Sequence, residues 1–340
     1  DDEFGCNDNR SRIGEIDLNN PDYFMASSNI YSLAEELGFW KPGEPFLFYE
    51  VYAPPGPGWG SRIREWGIYN LLAPSLNLDP HAERYPLSVK PDKPISVGDL
   101  MTIHRDYYKG TEFDITEDPA FFVDGEKSPL ARPWGPKDLH NLLGIEQQRC
   151  VGTGSGNAEV TQIRNWLPDP IAGCMWFAYG PAYTSFYAPI YSGITSLPES
   201  WSCGVDPDYP PSWIVKANEE IFSGQINRNR TFWNFTLVHD LSMVKYQEAI
   251  KDIEAVFEPA EDNFFAIQPD FESAAVEIFN NYGQTRAEEF VTAYTNSCLN
   301  SVYNAYYNLV DYLLFKYIYR FSKYAPSQKL PTVALPFIPE

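Results

Sequence analysis

Alternating apolar and polar residues predict that the middle of the chain is a β-sheet. Residues 159–166 alternate between two faces, with Val160 on one side and Thr161 on the other, which is the period of a half-buried strand. Residues 172–179 and 185–192 are almost continuous apolar and aromatic runs, typical of strands that are covered on both faces. We therefore expect a sheet that is packed between helices.

Helical spacing of apolar residues predicts helices on both sides of this middle. Before it, helices are expected at 27–37, 61–72 and 96–107, with residues 41–60 as a Pro- and Gly-rich loop; after it, at 212–223, 232–256, 269–282 and 285–322. Ser61 is expected to cap the second helix, and the stretch from Thr285 to Glu288 forms a capping-box pattern for the last one.

Length and composition predict an ordered protein of about two domains, or one large one. The chain has 340 residues, of which 44% are hydrophobic and 16% aromatic, enough apolar surface to fill a core and to exclude disorder. The composition changes from β-like to helical near 205–211. We therefore place the boundary between residues 1–205 and a C-terminal helical region at 206–340.

Charge excludes two classes of partner. The 25 basic and 46 acidic residues give a formal net charge of −21, which repels phosphate backbones and anionic lipid surfaces, so no nucleic-acid partner is expected. A membrane span needs about 18 apolar residues in a row. The longest candidate, Leu309 to Phe321, contains three charged residues and is predicted to be a buried helix.

Metal and cofactor chemistry is not indicated. The four histidines share no H-x-x-x-H spacing and the five cysteines form no C-x-x-C pair. The glycine-rich stretch 152–156 lacks the lysine of a phosphate loop and is expected to be a turn. Acidic residues between Glu258 and Asp262 are interpreted as a solvated face or a helix start. No metal and no cofactor is predicted.

Two closely spaced glycosylation triplets bear on location. They begin at Asn229 and Asn234, and the second is expected inside a helix, which lowers its chance of carrying a glycan. The chain starts at Asp1 without an initiator Met or a signal-peptide pattern. We expect a processed product or a fragment, in a secreted or lysosomal (vesicular) setting.

A specific family resemblance rests on the stretch between residues 87 and 116. It reads KPDKPISVGDLM at 90–101 and RDYYKGTEFD at 105–114. This resembles the dipeptidase A family of N-terminal-nucleophile cysteine hydrolases, to which the secernins are related. Further similar stretches follow the family's order and cover nearly the whole chain: RIGEIDL at 12–18, QIRNWLPDPIAG at 162–173 and FAIQP at 265–269.

The resemblance implies both a fold and an activity. The implied fold is α+β, the four-layer α/β/β/α sandwich of N-terminal-nucleophile hydrolases, with this chain supplying its later strands and a C-terminal helical region. The implied activity is hydrolysis of dipeptides and short peptides by a cysteine thiol through a thioester, without metal or cofactor. Its partners are then a short peptide substrate and the N-terminal half of the same protein, with self-association left open.

The position of the nucleophile is a further implication. Enzymes of this family use a cysteine at the start of the mature chain, because its free α-amino group, with a pKa of about 7.7–8.0, can act as base for the thiol. The matching region begins beyond that point of the family pattern. We therefore expect the nucleophile on another part of the protein. Cys6, preceded here by five residues, is a weak candidate.

The resemblance also suggests site residues. Asn9 stands where the family shows an Asn that could donate to the oxyanion, and Arg62 where related hydrolases place an Arg beside the cysteine. The alternative for Asn9 is a structural role at the end of a strand, where its side chain would hydrogen bond within a turn. The alternative for Arg62 is a surface salt bridge. Arg105, Asp106 and Asp114 either bind a peptide terminus or staple a loop, and the structural reading is favoured.

Two departures and two rival functions complete the expectations. Tyr107 replaces the family's His and Lys109 its Glu, which puts substrate specificity in doubt. One rival function is a non-catalytic structural or binding protein on the same scaffold. The other is a hydrolase of a different small amide.

Overall fold

The computed structural model describes residues 3–7, 11, 13–53, 58–134, 137–145, 156–202, 226–319, 329–334 and 336. They form an α+β protein that divides into two compact units. The first unit is Asp1–Ser96 with Gln148–Val151, and the second is Val97–Gln147 with Gly152–Glu340. The predicted boundary at 205/206 lies outside the described residues and stays a prediction, as does the helix at 212–223.

The first unit combines a short ladder with three helices. Strand β1 (Phe4–Gly5) pairs antiparallel with β2 (Ser88–Val89), and the helices are α1 (Ile30–Glu36), α2 (Phe48–Tyr52) and α3 (Trp59–Leu72). Its small core consists of Ile16, Ile30, Ala34, Phe46 and Val51.

Two predictions for this unit are corrected. The expected loop at 41–60 contains helix α2, because burial of Val51 against the small core favours a turn of helix there. Helix α3 begins at Trp59 after Gly58. Ser61 therefore lies inside the first turn instead of capping the helix.

The second unit holds the sheet and the long helices. Its helices are α4 (Val97–Arg105), α5 (Lys137–Leu143), the single turn α6 (Asp169–Ala172), α7 (Thr231–Ser242), α8 (Tyr246–Tyr282) and α9 (Gln284–Leu313), which continues into a π-helical turn at Leu314–Ile318. A two-residue hairpin joins β3 (Phe122–Val123) to β4 (Glu126–Lys127). The main sheet is antiparallel, in the order β5 (Asn157–Ile163), β6 (Gly173–Tyr179), β7 (Ala188–Tyr191).

Helices cover both faces of the central strand β6, as predicted. On one face Trp176 lies 4.3 Å from the Phe265 ring of α8, and on the other Tyr179 lies 6.1 Å from the Phe235 ring of α7, measured between ring centroids. Strand β5 alternates between buried and exposed residues, also as predicted, and Ile163 on its outer face is 77% exposed. The four-layer sandwich stays a proposal.

Helix α8 runs unbroken through Pro259 and Pro269, where the sequence predicts two separate helices. Each proline removes one hydrogen bond of the helix. Both prolines are exposed, so water can reach the carbonyls that they leave unpaired. A buried stripe continues along the helix from Ile253 through Phe264 to Ala275, and burial of this stripe against the sheet and α9 outweighs the two lost bonds.

Helix α9 begins at Gln284, directly after Gly283, whose φ is +84°. No side chain caps this end, so the predicted capping box of Thr285 is wrong. Gln284 instead donates from Nε2 to Glu288 Oε1 over 2.7 Å, one turn later. A glycine with left-handed backbone allows α8 and α9 to follow each other almost directly.

A close backbone approach fixes the corner between β5 and β6. The Gly193 N–H donates to the Pro170 carbonyl over 3.0 Å, and a Cβ at residue 193 would lie 2.6 Å from Pro170 Cα. Only glycine fits at this distance, so α6 is held directly against the end of β7. No helix among the described residues is long and apolar enough to cross a membrane.

Candidate functional site

Arg105 closes helix α4 and points into the second unit. Its two Nη atoms reach both oxygens of Glu261 on α8, at 2.9 and 2.5 Å, and Nη2 also donates to the Ser185 carbonyl over 2.8 Å. The guanidinium lies 4.3 Å from the Phe257 ring centroid. Although burial disfavours the cation, Glu261 outweighs this effect and raises the pKa of Arg105. The arginine is therefore a charged cross-link that uses both Nη atoms, while its Nε is buried without a hydrogen-bond partner among the described residues.

Glu261 contradicts the solvated face predicted for residues 258–262. It is only 5% exposed, and its Oε1 also accepts the Tyr187 N–H over 2.8 Å. Burial favours the protonated acid, whereas Arg105 and the Tyr187 N–H favour the carboxylate. The bidentate contact with Arg105 fits the ionised form. One carboxylate thus ties α8 to the end of α4 and to the segment entering β7.

His104 lies next to this ion pair. Its Nδ1 is 3.0 Å from the hydroxyl of Tyr187, which is fully buried. Burial and then the charge of Arg105 lower the pKa of His104, so the imidazole is neutral near pH 7. A neutral histidine bonded to a phenol adds a polar contact to the buried cluster.

The loop after Arg105 folds around its own aspartates. Asp106 Oδ2 accepts the Tyr108 N–H over 2.8 Å. Tyr108 is buried and has a φ of +65°, a conformation that costs a bulky residue free energy. Thr111 donates from Oγ1 to the Tyr108 carbonyl over 2.7 Å. These bonds hold the strained turn in place.

Asp114 closes the same loop from its other end. Its Oδ1 accepts from the Thr116 N–H at 2.9 Å and the Thr116 hydroxyl at 2.7 Å, and its Oδ2 accepts from the Gly110 N–H at 3.3 Å. The residue is 6% exposed. Arg105, Asp106 and Asp114 thus lie in one segment, each bonded within the protein. Their binding of a peptide terminus stays a prediction.

The two departures from the family pattern lie beside acidic groups. Burial, followed by Asp114, Glu254 and Asp106, raises the pKa of Tyr107. The pKa of Glu254 is raised by burial and then by Glu258, and the charge of Lys109 opposes this shift. A cationic Lys109 therefore faces an acidic surface of α8, where a glutamate would be repelled.

A second arginine organises the corner between β5 and β6. Arg164 pairs with Glu272 of α8, and its Nη2 donates to the Ile171 carbonyl over 2.9 Å. Glu272 also accepts from the Tyr191 hydroxyl at 2.9 Å and from Gln268 Nε2 at 2.8 Å. Sequence stretches singled out separately, at 162–173 and 265–269, meet in this network. The spacing of acidic residues on a helix does not reveal which carboxylates are buried, so Glu272 and Glu261 were not predicted. No motif in the sequence indicates Tyr187 or His104 either.

Arg62 belongs to the first unit and lies on α3. It donates from Nη1 to the Ala82 carbonyl over 2.8 Å, while its Nε has no hydrogen-bond partner. Arg62 thus holds the segment that follows α3 by one hydrogen bond, and its Nε makes none to a described residue. Asn9 lies outside the described residues, so its role stays a prediction.

The described cysteines differ in accessibility. Cys174 and Cys298 are fully buried, and burial raises the pKa of both thiols, that of Cys174 to about 12. Thiols of this kind do not act as nucleophiles at neutral pH. Cys6 is half-buried, and its backbone N–H lies 3.5 Å from the Tyr69 hydroxyl. Within the described parts of the chain, no group of three or more His, Cys, Asp or Glu residues is placed to hold a metal ion.

Comparison with known proteins places this α+β chain among the peptidases. The model of peptidase family C69 matches residues 1–258. The chain belongs to peptidase family C69.

Curated relatives carry dipeptidase names. The chain is 22% identical over 260 residues to dipeptidase A of Lactobacillus helveticus, covering 76% of this chain and 47% of the relative. It is 25% identical over 284 residues to a probable dipeptidase B of Lactococcus lactis subsp. lactis (strain IL1403), covering 77% and 52%. A probable dipeptidase of Salmonella dublin is 24% identical over 198 residues, covering 57% and 40%. The chain spans about half the length of these relatives.

Proposed function

We propose that this chain is part of a cysteine dipeptidase that hydrolyses dipeptides and short peptides. The observation that carries the proposal is the family match over residues 1–258, supported by relatives named as dipeptidases. The nucleophile is a cysteine at the start of a part of the protein that lies outside this chain. The four-layer sandwich of N-terminal-nucleophile hydrolases is the fold that this part would complete.

The reaction needs no metal or cofactor. The free α-amino group removes the thiol proton, and the thiolate attacks the peptide carbonyl carbon. The C–N bond breaks, the leaving amine takes a proton, and a thioester remains on the cysteine. Water then attacks the thioester with the same amine as base, which releases the acid and restores the thiol.

Two residues of this chain would assist that chemistry. The Asn9 amide would donate to the oxyanion of the tetrahedral intermediate, worth about 3 kcal/mol if it acts as one oxyanion-hole donor. The Arg62 guanidinium would favour the thiolate by charge, and its Nε is buried without a hydrogen-bond partner in the described part of the chain. The raised pKa values of Cys174 and Cys298 support a nucleophile elsewhere.

The proposal is tested on native material by intact mass, N-terminal sequencing and a panel of dipeptides. We expect a polypeptide that starts with Cys, either as a companion or as an extension, and loss of dipeptide cleavage after alkylation of that cysteine. A chelator should leave cleavage unchanged. Cleavage that survives complete alkylation would contradict the cysteine mechanism. Turnover of another small amide in place of dipeptides would change the substrate class.

A second candidate is a non-catalytic protein on the same scaffold. Tyr107 favours it, because the position of the family's histidine holds a half-buried phenol whose pKa is raised by burial. This candidate predicts a protein without a companion polypeptide and without turnover of any dipeptide in the panel. Restoring the family residues with Y107H and K109E is the matched variant. Where native material does contain a polypeptide that starts with Cys, a gain of turnover in that variant would show that the residues at 107 and 109 abolish cleavage in the parent protein.

A secreted or lysosomal setting is proposed for the protein. It is supported by the exposed glycosylation triplet at Asn229, and it can be tested by fractionation of the source cells. Self-association is tested on the same material by light scattering.

A further inference from the structure

Two asparagines of the glycosylation pattern N-x-T occupy opposite environments at the start of α7. Asn229 and Asn234 begin the two triplets. Asn229 is exposed in the turn before the helix, whereas Asn234 lies inside α7 and is 0% exposed. A glycan needs an accessible side-chain nitrogen, so the two triplets cannot be equivalent.

Asn234 uses its side chain to hold the turn against the helix. Its Nδ2 donates to the Arg228 carbonyl over 2.7 Å and to the Arg230 carbonyl over 3.2 Å. Its Oδ1 lies 3.5 Å from Arg228 Nε. A sugar on Nδ2 would replace one of the two donated hydrogens and would need space inside the core. A chain glycosylated at Asn234 therefore cannot close this end of α7.

The surroundings of Asn229 leave its amide uncovered. Arg228 folds away to Asp311, with a 2.7 Å contact, and lies 4.0 Å from the Tyr307 ring centroid. Arg230 folds away to the Ser202 carbonyl over 2.8 Å. The Asn229 backbone N–H is bonded to Asn227 Oδ1 over 3.1 Å. The long neighbouring side chains are thus committed elsewhere.

We propose that Asn229 is the N-glycosylation site of this region and that Asn234 is never glycosylated in the folded protein. The donor is a lipid-linked oligosaccharide diphosphate of the secretory pathway. The bond between its anomeric carbon and the phosphate oxygen breaks, an N-glycosidic bond forms at Asn229 Nδ2, and one amide proton is released. This inference rests on the proposed secretory setting and not on the proposed peptidase activity.

The test is expression of the full chain behind a cleavable secretion signal in a human cell line. A third triplet at Asn9 begins outside the described residues, so Ser11→Ala is introduced as the background. Secreted protein is compared before and after N-glycosidase treatment by intact mass. We expect one glycan, lost completely in N229Q. The matched control T236A removes the second triplet but leaves Asn234 in place, and it should keep the one glycan.

Each outcome decides the proposal. Secreted protein without a glycan would overturn the proposal. A glycan that persists in N229Q and disappears when T236A is added to N229Q would also overturn it, because that glycan would be on Asn234. Poor secretion of N229Q would be separated from lost glycosylation by N229D, which keeps the size of the side chain. Loss of dipeptide cleavage would not affect this result, because the measurement is a mass.

Discussion

Two arginines from two of the family-like stretches reach the same helix in different ways. Arg105 reaches α8 from the end of α4 and meets Glu261; Arg164 reaches it from the end of β5 and meets Glu272. Both pairs are largely buried. The two arginines differ in their other acceptors. If its glutamate is removed, Arg105 is left with the Ser185 carbonyl, whereas Arg164 is left with the carbonyls of Ile171 and Ala172.

This difference shows which part of the unit is more vulnerable. A buried charge that loses its partner costs more free energy when fewer polar groups remain to solvate it. The loop after Arg105 also contains the strained Tyr108, whereas the corner after Arg164 is additionally clamped by Gly193 and Pro170. We therefore expect the Arg105 region to fail first when either pair is perturbed.

The largest effect is expected for Glu261→Gln. This change leaves the Arg105 charge buried beside a single carbonyl and should lower the free energy of unfolding by about 4 kcal/mol. Urea unfolding followed by tryptophan fluorescence measures it. The exposed pair of Arg286 and Glu289 supplies the control, because E289Q should cost less than about 0.5 kcal/mol. Equal losses in the two variants would contradict the comparison.

Protonation of His239 should destabilise the region around Arg105 at acidic pH. This histidine packs against Tyr183 in the turn that leads to Ser185, and burial lowers its pKa from 6.5 to about 4. The unfolded chain takes up the proton first, so stability is lost as the pH falls from 6.5 to about 4, by about 3 kcal/mol. In H239F this part of the pH dependence should vanish. A profile identical to that of the parent protein would exclude His239 as its cause.

A smaller effect is expected for Glu272→Gln. Arg164 retains the carbonyls of Ile171 and Ala172, so the loss should be about 2 kcal/mol, half of that for Glu261→Gln. The same urea titration compares the two. If E272Q proves the more damaging variant, the proposed ranking of the two regions is reversed.

The smallest loss of stability is expected for Asp114→Asn, which tests whether Asp114 stabilises its loop or binds substrate. Asp114→Asn keeps the acceptor for Thr116 but turns an amide group toward the Gly110 N–H, at a cost of about 1 kcal/mol. If Asp114 only stabilises the loop, the KM of the proposed dipeptidase for a dipeptide stays unchanged. A raised KM with unchanged stability would instead assign Asp114 to substrate binding, the alternative to the favoured structural role.

Periodicity alone predicted much of the second unit. The alternation in β5, the apolar runs of β6 and β7 and the stripe of α9 all place these elements within a few residues. Local sequence preferences did not correctly predict where helices α8 and α9 begin and end. The prolines of α8 and the threonine pattern before α9 are local preferences worth about 1–3 kcal/mol each, and packing along a long helix exceeds them.

Sequence patterns alone were enough to indicate the family, the strands of the main sheet, helix α9 and the stretches that carry charge next to apolar residues. Which of those charges are buried followed from the packing of the chain. Glu261 and Glu258 are alike in sequence, yet one is 5% exposed and the other exposed. Asn229 and Asn234 differ in the same way. A carboxylate or amide becomes a cross-link only when another element brings an arginine or a carbonyl to it, and that proximity is a property of the packed chain.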